Sequence, residues 1–211
     1  ELYIKDLSKN NSAFKTLVNN FDNEHYIIGN EGTKLFIQTN LKAPNVKIVT
    51  VDAADPDVKN WIDLIPETEN VLDPSMAGGF LFCNYLVDAV SVVKQFDFNG
   101  KLIREISLPG PGSASGFSGK KDDKEVYYTF TNYIYPSTIF RLDPQSGTAE
   151  VFKKPSVDFN SDDFVSEQAF YNSKDGTKIP MIITYKKGIE KNGKNPTLLY
   201  GYGGFNISET P

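Results

Sequence analysis

Apolar and polar residues alternate along most of this chain, and the alternating runs return at a fixed interval. Leu2-Tyr3-Ile4-Lys5-Asp6, Ile48-Val49-Thr50-Val51-Asp52, Val92-Val93-Lys94-Gln95-Phe96-Asp97 and Ile139-Phe140-Arg141-Leu142-Asp143 all end in aspartate. Those aspartates stand 46, 45 and 46 residues apart. Asn40, Asn84 and Asn132 keep the same phase and are expected to end the preceding strand in each unit. A turn and a further strand are expected after each aspartate, at Phe14–Val18, Trp61–Ile65, Leu102–Leu108 and Glu150–Phe152. The period within each run is two, as in a strand, whereas helical repeats of similar length show a period of 3.6.

A full unit thus reads as four strands, in the first case Tyr26–Gly29, Leu35–Thr39, Lys47–Asp52 and Asn60–Ile65. Four strands in about 45 residues is the mark of a β-propeller blade, because one such sheet cannot bury both of its faces alone. The chain holds the last two strands of one blade and then three complete blades, ending near Pro155. The expected fold is mainly β, with a partial β-propeller over residues 1–156. About half of a closed propeller would leave blade faces open, and such faces invite pairing with another chain. The recurring aspartates suit a turn whose backbone N–H groups bond to the carboxylate, a structural role.

The rhythm stops after Pro155, which places a boundary there and a second unit over 157–211. Asp158-Phe159-Asn160-Ser161-Asp162-Asp163 is an acidic connector. Phe164–Tyr171 and Lys178–Lys186 read as strands around Ser173-Lys174-Asp175-Gly176-Thr177, a hairpin turn centred on Asp-Gly. Pro180 assigns the start of the return strand to a sheet edge. Pro196-Thr197-Leu198-Leu199-Tyr200 reads as a short buried strand running into Gly201-Tyr202-Gly203-Gly204-Phe205-Asn206. A strand followed by a glycine-rich turn places donors at a strand's carboxyl end, where α/β folds host chemistry. In α/β-hydrolases one such loop supplies a donor to the oxyanion. A tight turn with packed aromatics fits the spacing equally well.

Composition narrows the choice of partners. The net charge is −5 and the 22 Lys and Arg residues are dispersed, which argues against a nucleic-acid surface. No apolar run reaches the roughly 18–20 residues of a membrane helix. Cys83 is the single cysteine, so no internal disulfide is possible, and its apolar surroundings suit a small buried side chain on a strand. His25 is the single histidine. The usual Cys/His zinc sites are therefore out, and nothing calls for a metal or cofactor. No Gly-x-Ser-x-Gly elbow is present for His25 to serve, so a structural role is expected. Gly110–Lys120 matches neither a phosphate loop nor an elbow, and reads as a connection between blades plus an inner strand. The sequons at Asn10 and Asn206 carry no weight. The chain opens at Glu1 with no initiator methionine, and is read as a piece of a longer protein.

Several stretches resemble the prolyl oligopeptidases. They are Tyr171-Asn172-Ser173-Lys174-Asp175-Gly176-Thr177-Lys178-Ile179-Pro180-Met181, Tyr185-Lys186-Lys187-Gly188-Ile189 and Leu199-Tyr200-Gly201-Tyr202-Gly203-Gly204-Phe205-Asn206-Ile207-Ser208. Thr39-Asn40-Leu41-Lys42-Ala43-Pro44-Asn45 and Phe130-Thr131-Asn132-Tyr133 look like the propeller of that family. The resemblance implies a seven-bladed propeller capping an α/β-hydrolase domain, with a Ser-Asp-His triad between them. It implies a serine endopeptidase that cuts short peptides after proline, the propeller restricting access. By the same resemblance, Tyr202 donates its hydroxyl to the oxyanion and Phe205 lines the substrate pocket. Gly203, Gly204 and Asn206 shape the loop. The family's triad lies downstream of this stretch, so the 211-residue chain alone is expected to be inactive and to self-associate through its blade edges. Members are mostly cytosolic and some bacterial ones are exported, which leaves cytoplasm and periplasm both open. A stand-alone half-propeller interaction module is the competing reading, and it has no use for Phe164–Phe205.

Overall fold

The computed structural model describes residues 1–205 and 207–211. A strand pair opens the chain, β1 (Leu2–Ile4) and β2 (Lys15–Val18). Three four-stranded sheets follow. The first holds β3 (His25–Glu31), β4 (Lys34–Thr39), β5 (Lys47–Asp52) and β6 (Ile62–Ile65). The second holds β7 (Val71–Ala77), β8 (Phe80–Val87), β9 (Val90–Phe96) and β10 (Leu102–Glu105). The third holds β11 (Ser113–Gly116), β12 (Val126–Asn132), β13 (Tyr135–Leu142) and β14 (Ala149–Lys153). Every ladder is antiparallel and joins neighbours in chain order, which is the up-and-down meander of a propeller blade. The half blade and three blades expected from the repeat are all present.

Period-two patterning buries the first two full sheets on both faces and the third on the face toward the second. Leu35 and Ile37 of β4 pack with Leu17 and Val18 of the opening pair, while Phe36 between them joins Leu81, Cys83 and Tyr85 of the second blade. The same alternation returns on β8, where Phe82 points to the third blade and packs with Phe117, Tyr128 and Phe140. Those four rings stack in series at centroid distances of 5.4, 4.5 and 5.1 Å. Burying a side chain of this class contributes roughly 1.5–3 kcal/mol, so the seams between blades hold the array together.

The recurring aspartates close their turns as expected. Asp52 Oδ1 accepts the Ala54 N–H at 2.7 Å, Asp97 Oδ1 those of Asn99 and Lys101 at 2.9 Å each, and Asp143 Oδ1 that of Gln145 at 2.8 Å. The residue after each of these aspartates turns its carbonyl toward the preceding blade, where a side chain meets it. Lys15 Nζ donates to Ala53 O at 3.3 Å, Lys34 Nζ to Phe98 O at 2.7 Å and Gln95 Nε2 to Pro144 O at 2.6 Å. Gly147, with φ at +77°, leaves room for Arg104 of the second blade, whose Nη2 donates to Gln145 O at 2.7 Å. Each blade is thus pinned to its neighbour by a carbonyl latch.

The asparagine marker needs one correction. Asn132 ends β12 and Asn40 stands directly after the end of β4, but β8 runs on three residues past Asn84 to Val87. Asn84 instead spans two blades, its Nδ2 donating to Ala114 O at 2.9 Å, and its strand continues because the hairpin to β9 turns later, at Asp88-Ala89.

Beyond the third blade, β15 (Phe164–Asn172) and β16 (Lys178–Lys186) form a regular hairpin without a register shift. Its turn is closed by Asp175, which accepts the Thr177 N–H at 3.0 Å, and by Gly176 at φ +87°. Gln168 Nε2 donates to Asp88 O at 2.7 Å, which ties this hairpin to the second blade. The expected buried strand at 196–200 does not form. The segment is non-regular, with Leu198 91% and Leu199 84% exposed. A central strand is defined by neighbours on both sides, and no described strand lies alongside this one.

Candidate active-site loop

The glycine-rich loop is reached from β16 through a polar connection. Asn195 Nδ2 donates to Glu190 O at 2.7 Å and Thr197 Oγ1 to Asn195 O at 3.0 Å, so the connection is folded by its own side chains. Tyr202 is 49% exposed and Phe205 92% exposed. Phe205 takes a left-handed φ of +54°, and Ile207 N–H donates to Gly204 O at 3.1 Å, so the chain reverses here. The Tyr202 ring folds back over Gly204, with its hydroxyl oxygen 2.6 Å from where a Cβ on Gly204 would stand. Gly201 and Gly203 face open space. Asn206 lies outside the described residues. Tyr202, Gly203, Gly204 and Phe205 therefore share one exposed reversal, with an aromatic ring, a phenol and free backbone presented to solvent.

The remaining chemistry-bearing residues serve the fold. His25 Nδ1 shares a hydrogen bond with Thr39 Oγ1 at 2.8 Å, and its ring stands edge-on to Trp61 at 5.2 Å. Partial burial lowers its pKa from the ordinary value of 6.5, which disfavours the charged imidazolium. Cys83 is fully buried and desolvation pushes its thiol up to about 12, so it is a packing residue without thiolate character. A crevice of about 420 Å³ at the second blade is lined by Thr68, Glu69 and Asn70 of the connection leading into it and by Tyr85, Val87, Val92 and Lys94 of β8 and β9, with no residue of the loop among them. One cluster had no sequence signal at all. Tyr185 Oη and Lys191 Nζ both donate to Glu167 Oε1 at 3.0 Å, and these bonds, the Lys191 one first, hold that carboxyl below its usual range. The cluster braces the hairpin from which the loop departs.

Comparison with known proteins accounts for this arrangement. Residues 1–155 match the family described as prolyl oligopeptidase, N-terminal β-propeller domain. The chain is 51% identical over all 211 residues to a prolyl endopeptidase of Elizabethkingia meningoseptica, and covers 30% of that protein. It is 37% identical over 217 aligned residues to a prolyl endopeptidase of Dictyostelium discoideum, with 95% of this chain and 28% of that one covered. Among solved structures, one from a study of two prolyl endopeptidases superposes with a TM-score of 0.83 at 35% identity, over 98% of this chain and 30% of the other. Prolyl oligopeptidase B of Galerina marginata, bound to a 35-residue hydrolysis and macrocyclization substrate, gives a TM-score of 0.74 at 27% identity, over 88% of this chain and 27% of that one. The chain thus spans less than a third of the length of the relatives it matches. With a propeller match over residues 1–155, nearly three quarters of its length, the chain belongs to the prolyl oligopeptidase family.

Proposed function

We propose that this chain is part of a serine endopeptidase that cleaves short peptides on the carboxyl side of proline, with the propeller of residues 1–156 limiting access. Residues 157–211 open the α/β-hydrolase domain of that peptidase. Tyr202 donates its hydroxyl to the oxyanion, Phe205 lines the substrate pocket, and Gly203, Gly204 and Asn206 shape the loop between them. The observation that carries the reading is the reach of the similarity. Identity to a prolyl endopeptidase continues past the propeller match at 155 through the exposed loop to Pro211. An isolated interaction module would give no reason for that extension.

A nucleophile and its base are required for acyl transfer, and a donor to the oxyanion acts only on the charge they generate. His25 is locked to Thr39, and the chain lacks an elbow serine. The 211-residue chain is therefore inactive by itself, and its exposed blade faces pair with a second copy. The test compares full-length protein with the chain 1–211 on a proline-containing peptide amide and on a phosphonate that labels activated serines. Full-length protein should cleave after proline and be labelled, while the chain alone does neither. Labelling of the short chain at the full-length rate, or cleavage with no preference for proline, would sink the reading.

A further inference from the structure

The three glycines of the loop are not equivalent. A Cβ built on Gly201 or Gly203 meets no heavy atom within 4 Å. One built on Gly204 lands 2.6 Å from the Tyr202 hydroxyl oxygen, 2.8 Å from its Cζ and 3.3 Å from its Cε1. All three nearest atoms belong to the same side chain. Gly204 does not occupy the left-handed region, so backbone freedom does not explain it. Close approach does: non-bonded heavy atoms are comfortable at about 3.5–4.0 Å, and only glycine leaves that gap.

We infer that Gly204 is a positioning residue, whose missing side chain is the seat of the Tyr202 hydroxyl. The inference rests on the reading of Tyr202 as the oxyanion donor. The seat is fixed from the backbone side, because Ile207 N–H holds the Gly204 carbonyl at 3.1 Å and Phe205 turns the chain at φ +54°. The other side of the contact is the tip of a rotatable phenol. An added methyl would thus be accommodated by rotating Tyr202, at little expense to the fold, and the hydroxyl would leave its place. A donor stabilises developing charge only when it is already aimed, and a displacement near 1 Å can lower a rate on the order of 10²-fold.

The experiment uses full-length protein and three variants: Tyr202→Phe, Gly204→Ala and the two combined. Measured are kcat and KM on a proline-containing peptide amide, with the melting temperature. Tyr202→Phe should lower kcat by ~10²–10³. Gly204→Ala should lower it roughly 10-fold or more with KM little changed. The double variant should be no slower than Tyr202→Phe alone, because both changes remove the same hydroxyl. Wild-type kcat in Gly204→Ala beside an impaired Tyr202→Phe overturns the positioning role and leaves the donor role standing. Losses that multiply in the double variant overturn it as well. So does a Gly204→Ala protein that fails to fold or melts more than about 4 °C lower, since the methyl would then be meeting something besides the phenol. An unimpaired Tyr202→Phe removes the donor reading itself, and the inference with it.

Discussion

Gln95 has no exposed surface, and half of its amide is spoken for. Its Nε2 donates to Pro144 O at 2.6 Å, while Oε1 has no partner among the described residues. The two ends of this side chain make opposite contributions. The donor satisfies a carbonyl at a buried seam, and the orphan acceptor costs about 1–3 kcal/mol of desolvation. Substitutions can separate them. Gln95→Leu keeps most of the volume and abolishes the orphan, but leaves Pro144 O unpaired, so a loss within about 2 kcal/mol is expected. Gln95→Ala adds a cavity to the unpaired carbonyl and should lose more, about 2–4 kcal/mol. Urea denaturation of the two variants provides the comparison. An alanine variant no weaker than the leucine variant would show that the volume of this side chain adds nothing at the seam, and a leucine variant as stable as the parent that the latch contributes nothing beyond filling space.

At the scale of elements, the aspartate turns are the repeating stops of the sheets, and they titrate. Asp52 is held below its ordinary 3.8 by the Ala54 N–H and then the Thr33 hydroxyl, and Asp143 by the Gln145 N–H and then Ser146. Asp175 in the terminal hairpin is lowered to about 2, by the Ser173 hydroxyl and then the Thr177 N–H. A depressed folded pKa contributes stability that is complete above the unfolded value and vanishes as pH falls through the folded one. The turns should therefore loosen in order as pH falls below about 4, with the Asp175 turn lasting to about 2. Amide exchange of Ala54, Gln145 and Thr177 measures this turn by turn. Asp52→Asn retains an acceptor that does not titrate, so exchange at Ala54 should lose its acid step. An unchanged step would assign the effect to another group.

These turns also mark how far the sequence could be read. Their spacing was legible because one carboxylate closing one turn leaves its trace in every blade, and alternating residues serve two seams at once. Asn84 misled because a marker's phase says nothing about where a hairpin bends. Leu198 and Leu199 misled for a different reason: apolarity predicts burial, but burial needs partners that residues 1–211 do not provide around them. In the loop, the motif named Tyr202, Gly203, Gly204 and Phe205 together. Only coordinates distinguish the glycine that touches a phenol from the two that touch nothing.

For the whole molecule, both outer surfaces of the blade array matter. Tyr127 stacks edge-on with Phe152 at 5.0 Å, and these rings are 38% and 56% exposed, whereas Phe36 and Phe82 at interior seams have 1% exposure or less. At the other end Tyr3 is 48% and Phe14 70% exposed. Faces of this kind are covered elsewhere in the same array by another blade, so a second copy of the chain is the expected cover in isolation. Sedimentation equilibrium over a concentration series should show self-association of chain 1–211. A monomer at every concentration would mean that these rings are tolerated in water.

The order of the ladders carries a consequence for how such a molecule is made. Every strand pairs with its neighbour in the chain, so no sheet waits for a segment encoded far away. Translation delivers roughly 5–20 residues per second, while a hairpin closes in about 1–10 μs. Each strand can therefore zip onto the one before it as it leaves the ribosome. A finished blade then offers its apolar face as the template for the next. Synthesis and assembly of the blades therefore run in the same direction, each sheet complete before the next begins.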